Sequence, residues 1–234
     1  MKIGILKTDD VRPQWVERFG EYSDMFMALL CAVNPALEFA VYEVQRGEYP
    51  AHIDEVDGYL VTGSKAGVYD PLMWIAPLAE FIRRLHSERK PMLGVCFGHQ
   101  LIHHALGGHA EKAAAGWGIG RHSYTVTEQG GALADTGSQL HLLASHQDQV
   151  VRAAPGTTIL AASDFCPIAI TRIEQHAITM QCHPEFDPDY ARVLMDFRRD
   201  CYGEQQYRQA LASLSLSTDH LRVARWMLTI FAAN

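Results

Sequence analysis

Cysteine is scarce and unpaired in pattern: the five residues (Cys31, Cys96, Cys166, Cys182 and Cys201) are odd in number, scattered, and never spaced C-x-x-C. That excludes a disulfide scaffold or a zinc ribbon and predicts a reducing, cytoplasmic setting. Long apolar runs are missing too. The longest, Met25 to Val33, falls far short of the roughly 20 residues a membrane-spanning helix needs. The opening MKIGILKTDD carries one lysine and then a strand-like patch ending in acids, unlike a secretory leader. Basic residues are outnumbered, 20 against 27 acidic, for a net charge of −7, and no Lys/Arg block stands out. Nucleic acid and acidic membranes are therefore not expected as partners. The chain also lacks a phosphate-binding G-x-x-x-x-G-K-[ST] loop, an internal repeat and a low-complexity stretch. No cofactor is expected.

What the chain has is enough apolar material, 48% of its 234 residues, for a sizeable core. Its first half alternates strand-like and helix-like segments. Lys2 to Lys7 reads as a strand, Trp15 to Val33 as one amphipathic helix stopped by Asn34-Pro35, Leu37 to Val44 and Val56 to Val61 as strands, and Pro71 to Lys90 as a second helix. Pro91 to Val95 is a buried strand and Gly98 to Leu106 a helix. This rhythm predicts a doubly wound α/β sheet. After Gly107-Gly108 six short β-rich runs follow between Ile119 and Gln181, separated by turns such as Gly130-Gly131 and Pro155-Gly156. The remainder predicts three helices: Pro188 to Tyr202, Glu204 to Leu214, and Thr218 to Ala232 capped by Ser217 or Thr218 and packed on the sheet. One domain over 1–234 is expected, with a core of about 1–190 and C-terminal helices over about 188–233.

Chemistry is concentrated where the strand Pro91 to Val95 meets a Gly94-x-Cys96-x-Gly98 turn. Glycines on both sides of Cys96 permit a sharp strand-to-helix reversal that presents the thiol, and a helix N-terminus lowers a thiol's pKa. The plainer reading is a small buried cysteine in a Gly-rich turn. A thiol nucleophile needs a base, and the base needs an orienting group. Among 12 histidines, His183 follows the strand Ala177 to Gln181, Pro184 favours extended geometry there, and Glu185 at i+2 projects to the same side. His99 and His103 have the i, i+4 spacing of a metal pair, but H-E-x-x-H is lacking, so no metal is expected. Ala144 to Asp148 reads equally as a plain turn or a substrate-contacting loop. The loops Thr8 to Pro13 and Thr62 to Gly67 leave strand ends, where sites form.

Gly94-Val95-Cys96-Phe97-Gly98-His99-Gln100 together with Cys182-His183-Pro184-Glu185 resembles the two signatures of class I glutamine amidotransferase domains, and the Cys-to-His spacing, 183 − 96 = 87, is similar to theirs. Within that family the chain looks most like the stand-alone group that includes γ-glutamyl peptidases and resembles the amidotransferase part of GMP synthase. The resemblance implies a flavodoxin-like mixed sheet and a Cys96, His183, Glu185 triad. Cys96 would attack a glutamine side-chain amide to give a γ-glutamyl thioester and ammonia. It further implies an oxyanion hole at Gly63, Ser64 and Phe97, and substrate contacts from Gln100, Ser145, His146 and Gln147. Two departures stand out. The usual Gly-Gly-Pro loop is Thr62-Gly63-Ser64 here, and the usual His-Gly-Asp is His146-Gln147-Asp148. Three readings stay open: a glutamine-hydrolysing enzyme serving a separate synthetase subunit, a γ-glutamyl peptidase, and a catalytically silent binding relative.

Overall fold

A computed structural model describes residues 1–231. Strands β1 (Lys2–Lys7), β2 (Glu38–Glu43), β3 (Gly58–Val61) and β4 (Met92–Val95) belong to the parallel half of a nine-stranded sheet. The remaining strands are β5 (His109–Lys112), β6 (Gly118–Val126), β7 (Gln139–His146), β8 (Asp148–Arg152), β9 (Thr157–Ala162), β10 (Ile170–Ile173) and β11 (Ala177–Met180). The order is β2-β1-β3-β4-β11-β10-β9-β6-β7, parallel through β11 and antiparallel beyond it, so the sheet is mixed and its second half β-rich, as expected.

Among the described residues seven α-helices cover it: α1 (Pro13–Phe19), α2 (Tyr22–Cys31), α3 (Ile75–Ser87), α4 (Phe97–Ala105), α5 (Pro188–Phe197), α6 (Glu204–Ser213) and α7 (His220–Met227). Side chains alternate across each strand, and two cores result. Ile3, Ile5, Leu60 and Leu93 pack with Phe26 and Leu30 of α2 and with Ala224 and Met227 of α7. Leu6, Tyr59, Val61 and Met92 pack on the other side with Leu78 and Ile82 of α3 and with Leu101 and Ile102 of α4. Fully burying such a side chain stabilises the fold by about 1.5–3 kcal/mol. A third cluster joins α5 and α6 to the strand ends through Leu143, Tyr190, Leu194 and Tyr207.

Four local expectations are corrected. The helix over Trp15 to Val33 is two helices, because Gly20 takes φ 72 and donates back to Val16 O while Glu21 and Asp24 form a capping box that starts α2. Strand β5 was not anticipated: HAEK has little apolar content, yet it pairs with β8 in a separate two-stranded sheet. Strand β7 runs on to His146, so Ser145 and His146 belong to a strand end and only Gln147 lies between β7 and β8. Helix α7 begins at His220 with Asp219 before it and no side-chain cap; Asp219 Oδ2 instead accepts from His141 N–H at 2.8 Å. The last predicted helical residue, Ala232, lies outside the described residues. Among the described residues no helix is long and apolar enough to cross a membrane.

Candidate active site

Cys96 sits at the junction of β4 and α4 with φ 51 and ψ −103, a region an L-residue occupies only under constraint. The constraint is local packing. A Cβ on Gly98 would come within 2.3 Å of Val61 O, so only glycine lets the first turn of α4 lie against β3. Gly98 N–H instead donates to Thr62 O at 3.2 Å. Cys96 is buried, yet its side chain borders two cavities that also share Ser64, Lys65, Ser145 and Arg198.

His183 is held from three sides. Its N–H bonds Leu143 O on β7 at 2.8 Å, its Nδ1 lies 2.7 Å from Glu185 Oε1, and the Phe186 ring stacks on the imidazole at 4.0 Å between centroids. The fourth side meets the loop after β3, where a Cβ on Gly63 would lie 3.1 Å from His183 Cε1 and 3.6 Å from Cys96 Cβ. Burial pulls the imidazole pKa down, but the Glu185 carboxylate and the neighbouring Cys96 outweigh it, and the net result is a rise to about 10. The buried imidazole thus holds its proton across the neutral range.

The Gly63 loop is braced by the loop leaving β1. Thr8 Oγ1 donates to Gly63 O at 2.8 Å, Thr8 N–H donates to Thr62 Oγ1 at 3.0 Å, and Asp9 Oδ2 accepts the Lys65 N–H at 2.9 Å while Oδ1 pairs with Lys65 Nζ. The N–H groups of a helix's first turn have no intrahelical partner, so Phe97 N–H at the start of α4 is free to face a ligand. Among the described residues no partner is found for the Ser64 N–H. The cavity on one side of Cys96, about 280 Å³, is lined by Gln100, Ser145, His146, Gln147, Tyr69 and Arg198. A thiol, a clamped imidazole with a buried carboxylate behind it, and uncommitted N–H groups can together carry out acyl transfer.

The sequence model of the glutamine amidotransferase class-I family matches residues 30–198. The chain belongs to the class I glutamine amidotransferase family. γ-Glutamyl peptidase 3 of Arabidopsis thaliana is 27% identical over 186 residues, which span 76% of this chain and 74% of that protein. A glutamine-hydrolysing GMP synthase of Dehalococcoides mccartyi is 31% identical over 145 residues, 60% of this chain and 26% of the synthase. A glutamine amidotransferase crystal structure from Methylobacillus flagellatus superposes with a TM-score of 0.77 at 20% identity, covering 99% of this chain and 92% of that one, which shows the shared fold.

In this class I amidotransferase chain, the other residues singled out from sequence fall into two groups. Gln100 lines the larger cavity, but its amide nitrogen is engaged by Asp148 O at 2.9 Å and Gln181 Oε1 at 3.0 Å. Ser145 Oγ accepts from Arg198 Nη1 at 3.3 Å. His146 Nδ1 meets Asp148 O at 3.2 Å, and burial, with help from His122 and His183 nearby, pushes its pKa down to about 3, so the ring is a neutral wall of the pocket. His99 and His103 point away from the site into a buried network, with His99 Nδ1 2.7 Å from Thr179 Oγ1 and His103 Nε2 3.1 Å from Thr171 Oγ1. Sequence reasoning missed Arg198, which follows α5 and borders both cavities, and the Asp9–Lys65 ion pair. Arg198 gave no signal in sequence. Asp9 did, as an acid in the loop leaving β1.

Proposed function

We propose that the chain hydrolyses γ-glutamyl amides through a thioester on Cys96, with glutamine as the smallest substrate and ammonia as its leaving group. The observation that carries this reading is the position of His183, 2.7 Å from Glu185 and bordering the same small cavity as Cys96 beside the Gly63 loop. With the thiol proton resting on His183, Cys96 Sγ adds to the amide carbon, and the oxyanion is received by N–H groups of Gly63, Ser64 and Phe97. The C–N bond then breaks, its electron pair stays on nitrogen, and the proton on His183 goes to the departing amine. Water, deprotonated by His183, opens the thioester to release glutamate and the free thiol. Glu185 fixes the imidazole tautomer throughout. Gln100, Ser145, His146 and Gln147 line the pocket for the glutamyl portion.

The match to GMP synthase supports release of ammonia to a separate synthetase chain. The match to γ-glutamyl peptidases supports a second reading, cleavage of γ-glutamyl peptides by the same steps. All five cysteines are free, in keeping with a reducing cytoplasm. The test is incubation with a glutamine-derived electrophile followed by intact-mass measurement and peptide mapping. A single adduct on Cys96, absent in Cys96→Ala, is the expected result. An intact enzyme that turns over neither glutamine nor γ-glutamyl dipeptides would leave the silent-relative reading standing.

A further inference from the structure

The two cavities at Cys96 differ in one respect that decides how a substrate must lie. His183 borders the smaller one, about 20 Å³, and is absent from the walls of the larger. The leaving amine must take its proton from His183, so it departs through the smaller opening, while the glutamyl portion fills the larger cavity. That opening is a neck. Its walls Tyr22, Lys65, Leu194 and Arg198 are also walls of a cleft of about 840 Å³ between the loop after β1, helix α1 and helix α5. Ammonia needs no such volume.

The charges of the cleft are unequally matched. Asp9, Asp10, Glu21 and Glu43 are its carboxylates. All four are engaged: Asp9 by Lys65, Asp10 by Lys7 at 2.6 Å and Arg46 at 3.5 Å, and Glu21 and Glu43 by the buried Lys7 at 3.4 and 3.0 Å. Lys7 is fully compensated as a result. Arg12 and Arg198 also line the cleft, and among the described residues neither has a carboxylate partner. Each is steadied instead by an aromatic ring, Arg12 lying 3.6 Å over Phe197 and Arg198 5.6 Å over Trp117. Trp15, Val16 and Leu194 give the same cleft an apolar wall. A planar guanidinium held on an aromatic face and free of any carboxylate is suited to a substrate carboxylate. Arg198 spends one donor on Ser145 Oγ, and among the described residues no hydrogen bond engages the Arg12 guanidinium.

We propose that this cleft is the leaving-group subsite, and that it takes an amino acid or short peptide with a free α-carboxylate and an apolar side chain, the carboxylate being held by Arg12 and Arg198. The inference rests on the γ-glutamyl amide hydrolysis proposed above and names its substrate class: γ-glutamyl amino acids and peptides rather than glutamine alone. The reaction balance is unchanged. The amide C–N bond breaks, the amine of the leaving amino acid takes the His183 proton, and water later releases glutamate from Cys96.

The test compares kcat/KM of the full chain for γ-glutamyl-valine, for γ-glutamyl-valinamide, whose carboxylate is capped, and for glutamine. Wild type is expected to favour the free acid over the capped form by about tenfold or more, the worth of a charge-assisted hydrogen bond. Arg12→Met is expected to bring that ratio close to one, and Arg12→Lys to restore part of it. Because the ratio is taken within each variant, any loss of folded protein cancels. Equal turnover of the two dipeptides by wild type, or a ratio that Arg12→Met leaves intact, overturns the subsite while the hydrolase reading survives. Failure of wild type on all three substrates sinks both.

Discussion

Glu185 Oε1 lies 2.7 Å from His183 Nδ1, and the carboxylate's other oxygen has no partner among the described residues. The charge of a buried side chain is thus directed at one imidazole. Glu185→Gln keeps the size and removes the charge, and its amide can present a donor that favours the wrong tautomer. In the role proposed for Glu185, kcat should fall by about 10³ to 10⁴ with little change in circular dichroism. Steady-state rates on glutamine or a γ-glutamyl dipeptide check this, and a loss below tenfold would remove Glu185 from the proposed machinery.

Asp9 reaches the same chemistry at one remove. Its Oδ2 accepts the Lys65 N–H at 2.9 Å and so fixes the loop that holds Gly63 and Ser64 against His183 and Cys96. Asp9→Ala should loosen the donors proposed for the oxyanion. That lowers kcat by about tenfold to a hundredfold while KM stays near wild type, since the donors act on charge that develops only in the transition state. Asp9→Asn, which retains an acceptor for the N–H, should recover part of the rate. A rise in KM with unchanged kcat would instead mean that Asp9 serves ground-state binding.

How far the sequence reveals these relationships depends on their range along the chain. Strands β1 and β4 are legible because buried parallel strands are near-continuous apolar runs, and Cys96 because the Gly94 and Gly98 flanks are local. His183 and Glu185 are legible as a pair two residues apart, though their meeting with Cys96 rests on β11 lying beside β4. Asp9 and Lys65 are 56 residues apart and Arg198 and Ser145 are 53 apart, and neither pair carries a periodicity or spacing cue. Those contacts are made by sheet order and helix packing, which no local pattern encodes. The split of one expected helix at Gly20 turned on a single backbone angle.

The pKa of about 10 at His183 has a direct consequence for rate. Its folded-state pKa is raised above the ordinary 6.5, so the imidazolium and the stability it contributes are fully present below 6.5 and lost as pH rises through about 10. If His183 is the proton donor to the leaving amine, the alkaline limb of kcat/KM should fall near pH 10. The limb should move toward neutrality in Glu185→Gln, because the carboxylate is one of the causes of the rise. A wild-type limb near pH 7 would contradict the assignment.

The buried structural histidines predict the opposite pH response in stability. His103 Nδ1 accepts the Ala154 N–H at 3.1 Å and its Nε2 meets Thr171 Oγ1 at 3.1 Å, so protonation would break an internal bond; burial pushes its pKa down to about 4. The unfolded chain takes up a proton near pH 6.5 that the folded chain refuses until about 4. Stability contributed by this residue is therefore present above pH 6.5 and lost as pH falls toward 4, by about 1.4 kcal/mol per pH unit. His146, with a pKa of about 3, behaves alike over a wider window. Urea denaturation at pH 7.5 and 5.0 should show a lower midpoint in acid, and His103→Gln should lessen that drop. An unchanged pH dependence in the variant would mean that carboxylate protonation dominates the acid response.

The elbow offers the most severe test of how fold and site are joined. A methyl group on Gly98 would sit 2.3 Å from Val61 O and 2.9 Å from Val61 Cβ, and the obstruction is the backbone of β3, which is fixed by pairing to β1 and β4 on either side. Unlike a clash with a flexible side chain, this one is relieved only by moving α4 away from the sheet. Moving α4 carries Phe97 N–H and Cys96 with it. Gly98→Ala is expected to destabilise the fold by about 3 kcal/mol, at the upper end of what overpacking a core costs. Folded molecules of the variant should also lose Cys96 alkylation by the glutamine-derived electrophile, because the thiol leaves its position beside His183. Gly131→Ala supplies the control: its φ is −57 and its nearest obstruction would be 3.8 Å away, so stability should stay within about 0.5 kcal/mol of wild type. If Gly98→Ala folds with wild-type stability and full labelling, the contact of α4 with β3 is not what holds Cys96 in its positive-φ conformation.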